Sequence, residues 1–172
     1  MQLVLLRHAV AEDAARGGPG SDARRRLTRE GKRKMRLGAQ GLATLVGTAE
    51  RVATSPLVRA VETARIVSRA LGADGVDELK ALAPGGSGEE LLRWLREKAP
   101  EVAVLVGHEP GLSRLAGLLI TGRDTALFTF KKGGACALSM RGPRPGSARI
   151  EWLATARTLR VLGAAHGEED DD

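Results

Sequence analysis

Short apolar runs alternate with segments of helical periodicity along most of the chain. Two of these runs, Gln2–Leu6 and Val102–Val106, are continuous stretches of apolar residues. Such a run is typical of a strand that is buried on both faces of a parallel sheet. A further short strand is predicted at Arg51–Thr54, where it ends at Ser55 and Pro56.

Segments with helical spacing lie between and after these strands. Thr28 is predicted to cap the N-terminus of a helix that runs to about Val46, with Met35 and Leu42 on one face. A loop is expected over Ala9–Arg26, which contains three glycines and a proline. The other predicted helices are Leu57–Leu71, Glu89–Lys98 with Ser87 as its N-cap, Pro110 to about Ile120, and Thr155–Leu162.

The pattern changes toward the C-terminus. Two strands, Ala135–Met140 and Ala148–Leu153, are predicted on either side of the Gly/Pro-rich turn Gly142–Gly146. Strands that alternate with helices and are closed by a hairpin indicate an α/β fold. We expect a three-layer α/β/α sandwich with a mostly parallel sheet and an antiparallel edge. A single domain is expected over residues 1–163, followed by a disordered acidic tail over 164–172.

Composition narrows the classes of partner. The net charge is +6 although the last five residues, 168–172, are all acidic, which suggests an anionic ligand or an acidic partner. Aromatic residues make up 2% of the chain and tyrosine is absent, which argues against stacking on nucleic-acid bases. The single cysteine, Cys136, cannot form an internal disulfide, and no stretch approaches the ~20 apolar residues that span a bilayer. We therefore expect a cytoplasmic protein that binds neither membrane nor nucleic acid.

One strongly basic segment, Arg24–Arg36, holds eight basic residues and one acid, Glu30. A solvated helix face is the commonest explanation for such a run. A basic rim that steers an acidic phosphoprotein toward an anion site would also account for it, and a nucleic-acid patch ranks last.

Three strand-to-helix junctions carry side chains that could bind an anion or take part in catalysis. They are Arg7 and His8 after the first strand, Ser55 and Arg59 after the second, and His108 after the later one. Ligands of open α/β sheets bind outside the carboxyl ends of the strands, so these junctions should meet at one edge. Guanidinium groups and helix N-termini match phosphate oxygens. The set predicts an anion pocket, and no metal or cofactor is expected.

The same junctions carry a family resemblance. The segments LRHA (Leu6–Ala9), SPLVRAVETA (Ser55–Ala64) and VGHEPGLS (Val106–Ser113) resemble the three signatures of the histidine phosphatase superfamily, also called phosphoglycerate mutase-like or RHG. The short chain and PGGSGEELLRWL (Pro84–Leu95) resemble its SixA-type phosphohistidine phosphatase branch. The likeness extends to about residue 155. One departure is Ala9, where the family usually has glycine.

The resemblance implies a role for each matching residue. His8 would be the nucleophile and become phosphorylated, while Arg7, Arg59 and His108 would bind the phosphoryl oxygens. Ser55 would donate a further hydrogen bond to the phosphoryl oxygens. Inorganic phosphate or sulfate should occupy the same pocket. Phosphoryl transfer depends mainly on positioning and electrostatics, so this set suffices without Mg²⁺.

The proton donor for the leaving group is harder to identify. Many members of the superfamily take it from an inserted segment, for which this chain has no room. Glu109 and Asp13, and also Glu12, are nearby candidates. An alcohol needs an acid because its pKa is comparable to the ~15.7 of water, whereas the conjugate acid of imidazole titrates near ~6.5. A site without a strong acid therefore favours phosphohistidine.

The leading hypothesis is a phosphatase that acts on phosphohistidine in a signalling or phosphocarrier protein. One alternative is a small-molecule phosphomonoesterase of the same superfamily. Another is a catalytically dead phosphoprotein-binding module, although binding alone would not require both His8 and His108. A nucleic-acid binder is the weakest reading.

Overall fold

The computed structural model describes residues 1–13 and 20–169, and in these residues the chain forms strands that alternate with helices before a final hairpin. Residues 14–19 of the predicted loop and residues 170–172 of the predicted tail lie outside this description. The strands are β1 Gln2–Arg7, β2 Arg51–Thr54, β3 Val76–Glu78, β4 Val102–Gly107, β5 Ala135–Ser139 and β6 Arg149–Ala154. The helices are α1 Arg29–Val46, α2 Val58–Ala70, α3 Gly88–Lys98, α4 Gly111–Thr121 and α5 Ala156–Glu169, with short 3₁₀ helices at Asp22–Arg24 and Lys80–Leu82.

The described strands form one sheet in the order β3-β2-β4-β1-β5-β6. Strands β3, β2, β4 and β1 are parallel, and β5 and β6 complete the sheet as antiparallel neighbours. The mostly parallel sheet with an antiparallel edge is therefore confirmed. Strands β2, β4 and β1 lie side by side, so the junctions that follow them share one edge.

Helices cover both faces of the sheet, as the apolar runs predicted. Along β1, Val4 and Leu6 pack with α1, α2 and α5 on one face, while Leu3 and Leu5 pack with α3 and α4 on the other. Successive residues of a strand point to opposite faces, so a strand covered on both sides must be apolar throughout. Each leucine that is fully buried in this way stabilises the fold by roughly 1.5–3 kcal/mol.

Helices α1 and α5 approach each other so closely that only glycine fits at the contact. A Cβ added at Gly41 would lie 1.9 Å from the carbonyl oxygen of Leu159, and one at Gly163 would lie 2.0 Å from that of Leu37. Both neighbours are backbone atoms, which cannot rotate away. The pair of glycines therefore sets the distance between the two helices.

The structure differs from the prediction in the end of the last helix and in one additional strand. The last helix does not end near Leu162 but continues to Glu169, because its Gly163 packs on α1 and extends the contact between the helices. Strand β3 was not predicted from the pattern of residues, and it forms through parallel pairing with β2. The division into a domain over residues 1–163 and a disordered tail over 164–172 stays a prediction.

Every helix in the described part of the chain is too short or too polar to cross a bilayer.

Candidate active site

The two histidines that follow β1 and β4 lie together at the carboxyl edge of the sheet. Arg7 of β1 pairs with Gly107 of β4, and the backbone N–H of His8 donates to the Gly107 carbonyl at 3.1 Å. The next residues in register are therefore His8 and His108, whose ring centroids are 4.9 Å apart. Parallel pairing thus brings together two residues that are far apart in sequence.

Hydrogen bonds identify which nitrogen of His8 is free to react. Its Nδ1 lies 2.7 Å from the carbonyl oxygen of Ala9, which can only accept, so Nδ1 carries the proton. The Nε2 atom accepts from Nε of Arg59 at 3.3 Å. Burial lowers the pKa of His8 to about 3, and the charges of His108, Arg59 and Arg7 act in the same direction. His8 is therefore neutral at pH 7 and presents the Nε2 lone pair to the site.

Arg59 enters the site from the first turn of α2 and is only 5% exposed. Its Nη1 donates to the carbonyl oxygen of Asp22 at 2.7 Å, and its Nη2 contacts Oδ2 of the same residue at 3.0 Å. These contacts fix the guanidinium plane beside His8. The pKa of Asp22 is lowered by its hydrogen bond to Arg25 and by its contacts with Arg59, so this carboxylate is ionised.

Arg7 reaches the same site from the end of β1. Its Nη1 donates to the carbonyl oxygen of Phe130 at 2.6 Å, which anchors the guanidinium. Its Nε is buried and has no hydrogen-bond partner among the described residues. A buried donor without a partner is costly, and an anion in the site would remove that cost.

His108 is held by the hydroxyl group of Ser55, whose Oγ lies 2.6 Å from Nε2. Ser55 is fully buried, so the contact is shielded from solvent. Burial lowers the pKa of His108 to about 4, assisted by the charges of Arg59 and Arg7 and opposed by Asp22. The Nδ1 atom of His108 is buried and finds no partner within the described part of the protein.

The predicted site residues therefore divide into two groups. Five of them converge at the sheet edge: Arg7, His8, Ser55, Arg59 and His108. Ser55 contacts His108, and its role as a direct hydrogen-bond donor to phosphate stays a prediction. The predicted acids are placed differently.

Glu109 has both carboxylate oxygens occupied by groups of the protein. Oε1 accepts from the backbone N–H of Phe130, and Oε2 accepts from the hydroxyl group of Ser113 at 2.7 Å. The side chain thus ties the start of α4 to the loop that anchors Arg7. Asp13 is exposed in the loop after β1.

Two residues of the site were not predicted from the sequence. Asp22 binds Arg59, and Thr63 accepts a hydrogen bond from the backbone N–H of Ala9 at 3.1 Å. Thr63 also donates to the carbonyl oxygen of Arg59 at 2.7 Å, so it joins the His8 loop to α2. The signals available for Thr63 were its position one helical turn after Arg59 and its place within the signature segment Ser55–Ala64.

The arrangement is suited to an anion with several oxygens. Two guanidinium groups, of Arg7 and Arg59, and the buried imidazole of His108 lie around the ring of His8. Preorganised donors of this kind stabilise negative charge as it develops on a transferred phosphoryl group. Among the side chains of residues 1–13 and 20–165, no three His, Cys, Asp or Glu are grouped so that they could hold a metal ion.

Comparison with known proteins gives the site a family context. The sequence profile described as "Histidine phosphatase superfamily (branch 1)" matches residues 3–84. The chain is 37% identical over 154 residues to an uncharacterized protein of Picosynechococcus sp., covering 88% of this chain and 89% of that protein.

Two solved structures define the fold. The protein histidine phosphatase SixA in complex with tungstate matches with a TM-score of 0.80 and 24% identity, covering 92% of this chain and 99% of that chain. The α-ribazole phosphatase from Shigella flexneri matches with a TM-score of 0.66 and 22% identity, covering 91% and 97%. The predicted phosphoglycerate mutase-like α/β fold is confirmed. With the profile match and the 37% identical relative, the chain is shown to belong to the histidine phosphatase superfamily and to be a phosphatase of that superfamily.

Proposed function

We propose that this phosphatase hydrolyses phosphohistidine on a protein of the signalling or phosphocarrier type, through a covalent intermediate on His8 and without a metal ion or cofactor. The neutral imidazole supplies the nucleophile through its unprotonated Nε2, which accepts a hydrogen bond from Nε of Arg59 at 3.3 Å that must be released for attack. Arg7 and Arg59 supply fixed positive charge where the phosphoryl oxygens would lie.

The reaction takes place in two transfers. In the first, Nε2 of His8 forms a bond to phosphorus while the P–N bond of the substrate breaks and its imidazole leaves. The free ring nitrogen of phosphohistidine can take a proton from solvent beforehand, so this imidazole leaves neutral. In the second transfer, water attacks phosphorus and the bond to His8 breaks, which releases inorganic phosphate and regenerates the nucleophile.

The observation that carries the choice of substrate is the state of the carboxylates at the site. Asp22 contacts Arg59 with a lowered pKa, so at neutral pH it has no proton to give. Both oxygens of Glu109 already accept hydrogen bonds from the protein. A leaving alkoxide would require a proton donor, whereas an imidazole that is protonated from solvent does not. The site therefore favours a P–N bond over a P–O bond.

The comparisons support phosphohistidine as the substrate and also indicate an alternative substrate class. The SixA match is a protein histidine phosphatase, whereas the α-ribazole phosphatase match is named for a small molecule. A small-molecule phosphomonoesterase is accordingly the second candidate. It requires a proton donor, and neither Asp22 nor Glu109 offers one in this arrangement.

A protein substrate also accounts for the basic segment Arg24–Arg36. Several of its charges form ion pairs, including Lys32 with Glu62 at 2.8 Å and Arg33 with Glu30 at 2.7 Å. The remaining positive charge would attract an acidic phosphoprotein. The low aromatic content of 2% argues against nucleic acid as the partner. We also propose a cytoplasmic location, because a chain with one cysteine, the buried free thiol of Cys136, forms no internal disulfide and is suited to a reducing compartment.

A competition between substrates tests the proposal. The purified protein is given a histidine-phosphorylated carrier and a panel of phosphorylated alcohols, each at several concentrations, and phosphate release gives kcat/KM. The carrier should be preferred by orders of magnitude, and His8→Ala should abolish its turnover while leaving the fold intact by circular dichroism. Efficient hydrolysis of the alcohol esters together with no activity on the carrier would rule out the proposal in favour of the phosphomonoesterase.

A further inference from the structure

A second cavity adjoins the phosphoryl site and shares His108 with it. It has a volume of about 410 Å³ and lies between the turn that follows Lys80–Leu82 and the helices α3 and α4. This volume is within the ~300–1,000 Å³ that small organic ligands occupy, and it is far more than a phosphoryl group needs. The cavity therefore has room for whatever is attached to the phosphoryl group.

The lining of the cavity is mostly apolar, and its charged residues are Glu89, Arg114 and Asp124. Ala83, Gly111, Leu115 and Leu118 are among the wall residues. The polar rim is an exposed ion pair, in which Nε of Arg114 donates to Asp124 at 2.8 Å. A mostly apolar lining and a polar rim at the surface suit a ring that is joined to a polypeptide backbone.

We infer that this cavity is the leaving-group subsite, which receives a flat ring bonded to the phosphoryl group and, at its rim, the adjoining backbone of the protein that carries it. The inference rests on the proposed function for the identity of the ring as imidazole. Because His108 lines both spaces, a phosphoryl group beside His8 directs its remaining substituent toward the cavity. A highly hydroxylated leaving group would lose hydration against the leucine side chains of the wall, which offer no hydrogen bonds in return.

The glycines of the wall allow the subsite to be filled without rebuilding the fold. A Cβ added at Gly111 would meet no atom within 4 Å, so a larger side chain can be accommodated there. Gly86 offers no such option, since its Cβ would lie 2.1 Å from the carbonyl oxygen of Ala81. Gly75 is the matched control, because its Cβ also meets nothing within 4 Å and it precedes β3, at the opposite edge of the sheet.

Two non-hydrolysable probes measure the subsite without requiring catalysis. Isothermal titration calorimetry compares phenylphosphonate, which carries a ring, with methylphosphonate, which does not. Burial of the ring should make phenylphosphonate bind the wild-type protein at least about tenfold more tightly. Gly111→Leu should remove most of this preference, and Gly75→Leu should preserve it. Should Gly111→Leu fail to fold, Leu118→Gln places a polar group in the same wall and should also weaken the preference.

A kinetic comparison then examines the P–N substrates. Gly111→Leu should lower kcat/KM for a histidine-phosphorylated carrier at least about tenfold while leaving phosphoramidate, which has no ring, nearly unchanged. Equal binding of the two phosphonates by the wild-type protein, or the same preference in Gly111→Leu and Gly75→Leu, would overturn the subsite. If the wild-type protein prefers phenylphosphonate but hydrolyses neither P–N substrate, the proposed function is wrong, whereas the assignment of the cavity as a ring-binding subsite is supported.

Discussion

The two site histidines should make the stability of the protein depend on pH in a window where few other groups titrate. Burial lowers the pKa of His8 to about 3 and that of His108 to about 4. In the unfolded chain both would titrate near ~6.5. The folded state therefore binds fewer protons than the unfolded state below about pH 7, and the free energy of unfolding must fall as the pH falls from the unfolded pKa toward the folded values.

The magnitude follows from the size of these pKa differences. At pH 5.5 an unfolded histidine is about 90% protonated, which lowers the free energy of unfolding by about 1.4 kcal/mol for a histidine that stays neutral when folded. This value applies to His8, and solvent screening at the mouth of the site reduces it to about 1 kcal/mol for His108. Lowering the pH from 8.0 to 5.5 should thus cost about 2 kcal/mol from the two residues together.

Urea denaturation at the two pH values measures this effect. The double variant His8→Gln/His108→Gln is the control, because it keeps His166 and every carboxyl group, and its loss between pH 8.0 and 5.5 should be smaller than that of the wild type by about 2 kcal/mol. Only the pH dependence is compared, so an overall stability change in the variant does not matter. Equal losses in the two proteins would refute the conclusion that His8 and His108 are neutral and buried.

Three further substitutions test other contacts. Glu109→Gln should lower the free energy of unfolding by about 1–3 kcal/mol, because its amide NH₂ would face either the N–H of Phe130 or, when flipped, the backbone N–H of Ser113, which now donates to Oε2 at 3.3 Å; urea denaturation measures this, and a rate loss that grows with leaving-group pKa would instead identify Glu109 as the acid. Asp22→Asn removes a negative charge beside Arg59, so inorganic phosphate should inhibit turnover at a several-fold lower concentration, and weaker inhibition would contradict this. Gly41→Ala should destabilise the fold by about 1–3 kcal/mol or more, since its Cβ would clash with a backbone oxygen, and an unchanged melting temperature would contradict the close packing of α1 on α5.

Local chemistry explains why much of the fold could be predicted. The side chain of Thr28 accepts from the N–H of Gly31 at 2.9 Å, and Ser87 accepts from Glu90 at 3.3 Å, so both predicted N-caps are observed. Strand β2 and helix α1 begin and end where the pattern placed them. A cap or an apolar run depends on residues that are close in sequence, and such signals are readable without the tertiary structure.

The features that were missed depend on contacts between distant residues. The residues of β3 are only partly buried or exposed, and nothing but pairing with β2 makes them a strand. Asp22 lies in a loop without periodicity, 37 positions from Arg59, so its carboxylate could not be assigned to the site. Glu109 was named as one candidate proton donor because of its place in the chain, and its contact with the N–H of Phe130, which the sequence did not indicate, arises from the fold of the 126–134 loop.

The convergence of the site was predictable for a different reason. Parallel strands have their carboxyl ends at one edge, so three junctions with arginine or histidine had to meet there once the sheet was parallel. The sequence did not determine the tautomer of His8, which depends on the carbonyl of Ala9, or the partner of His108, which is Ser55. These hydrogen bonds specify the nucleophile more closely than the motif does.

The central claim is that Nε2 of His8 takes the phosphoryl group from the substrate, and trapping the intermediate tests it most directly. A histidine-phosphorylated carrier labelled on the phosphate is mixed with the protein, quenched in alkali within milliseconds and analysed by peptide mapping. The account predicts alkali-stable, acid-labile label on His8, bonded through Nε2 and absent from His8→Ala. Steady release of phosphate with no label on the protein, or label on a residue other than His8, would contradict it.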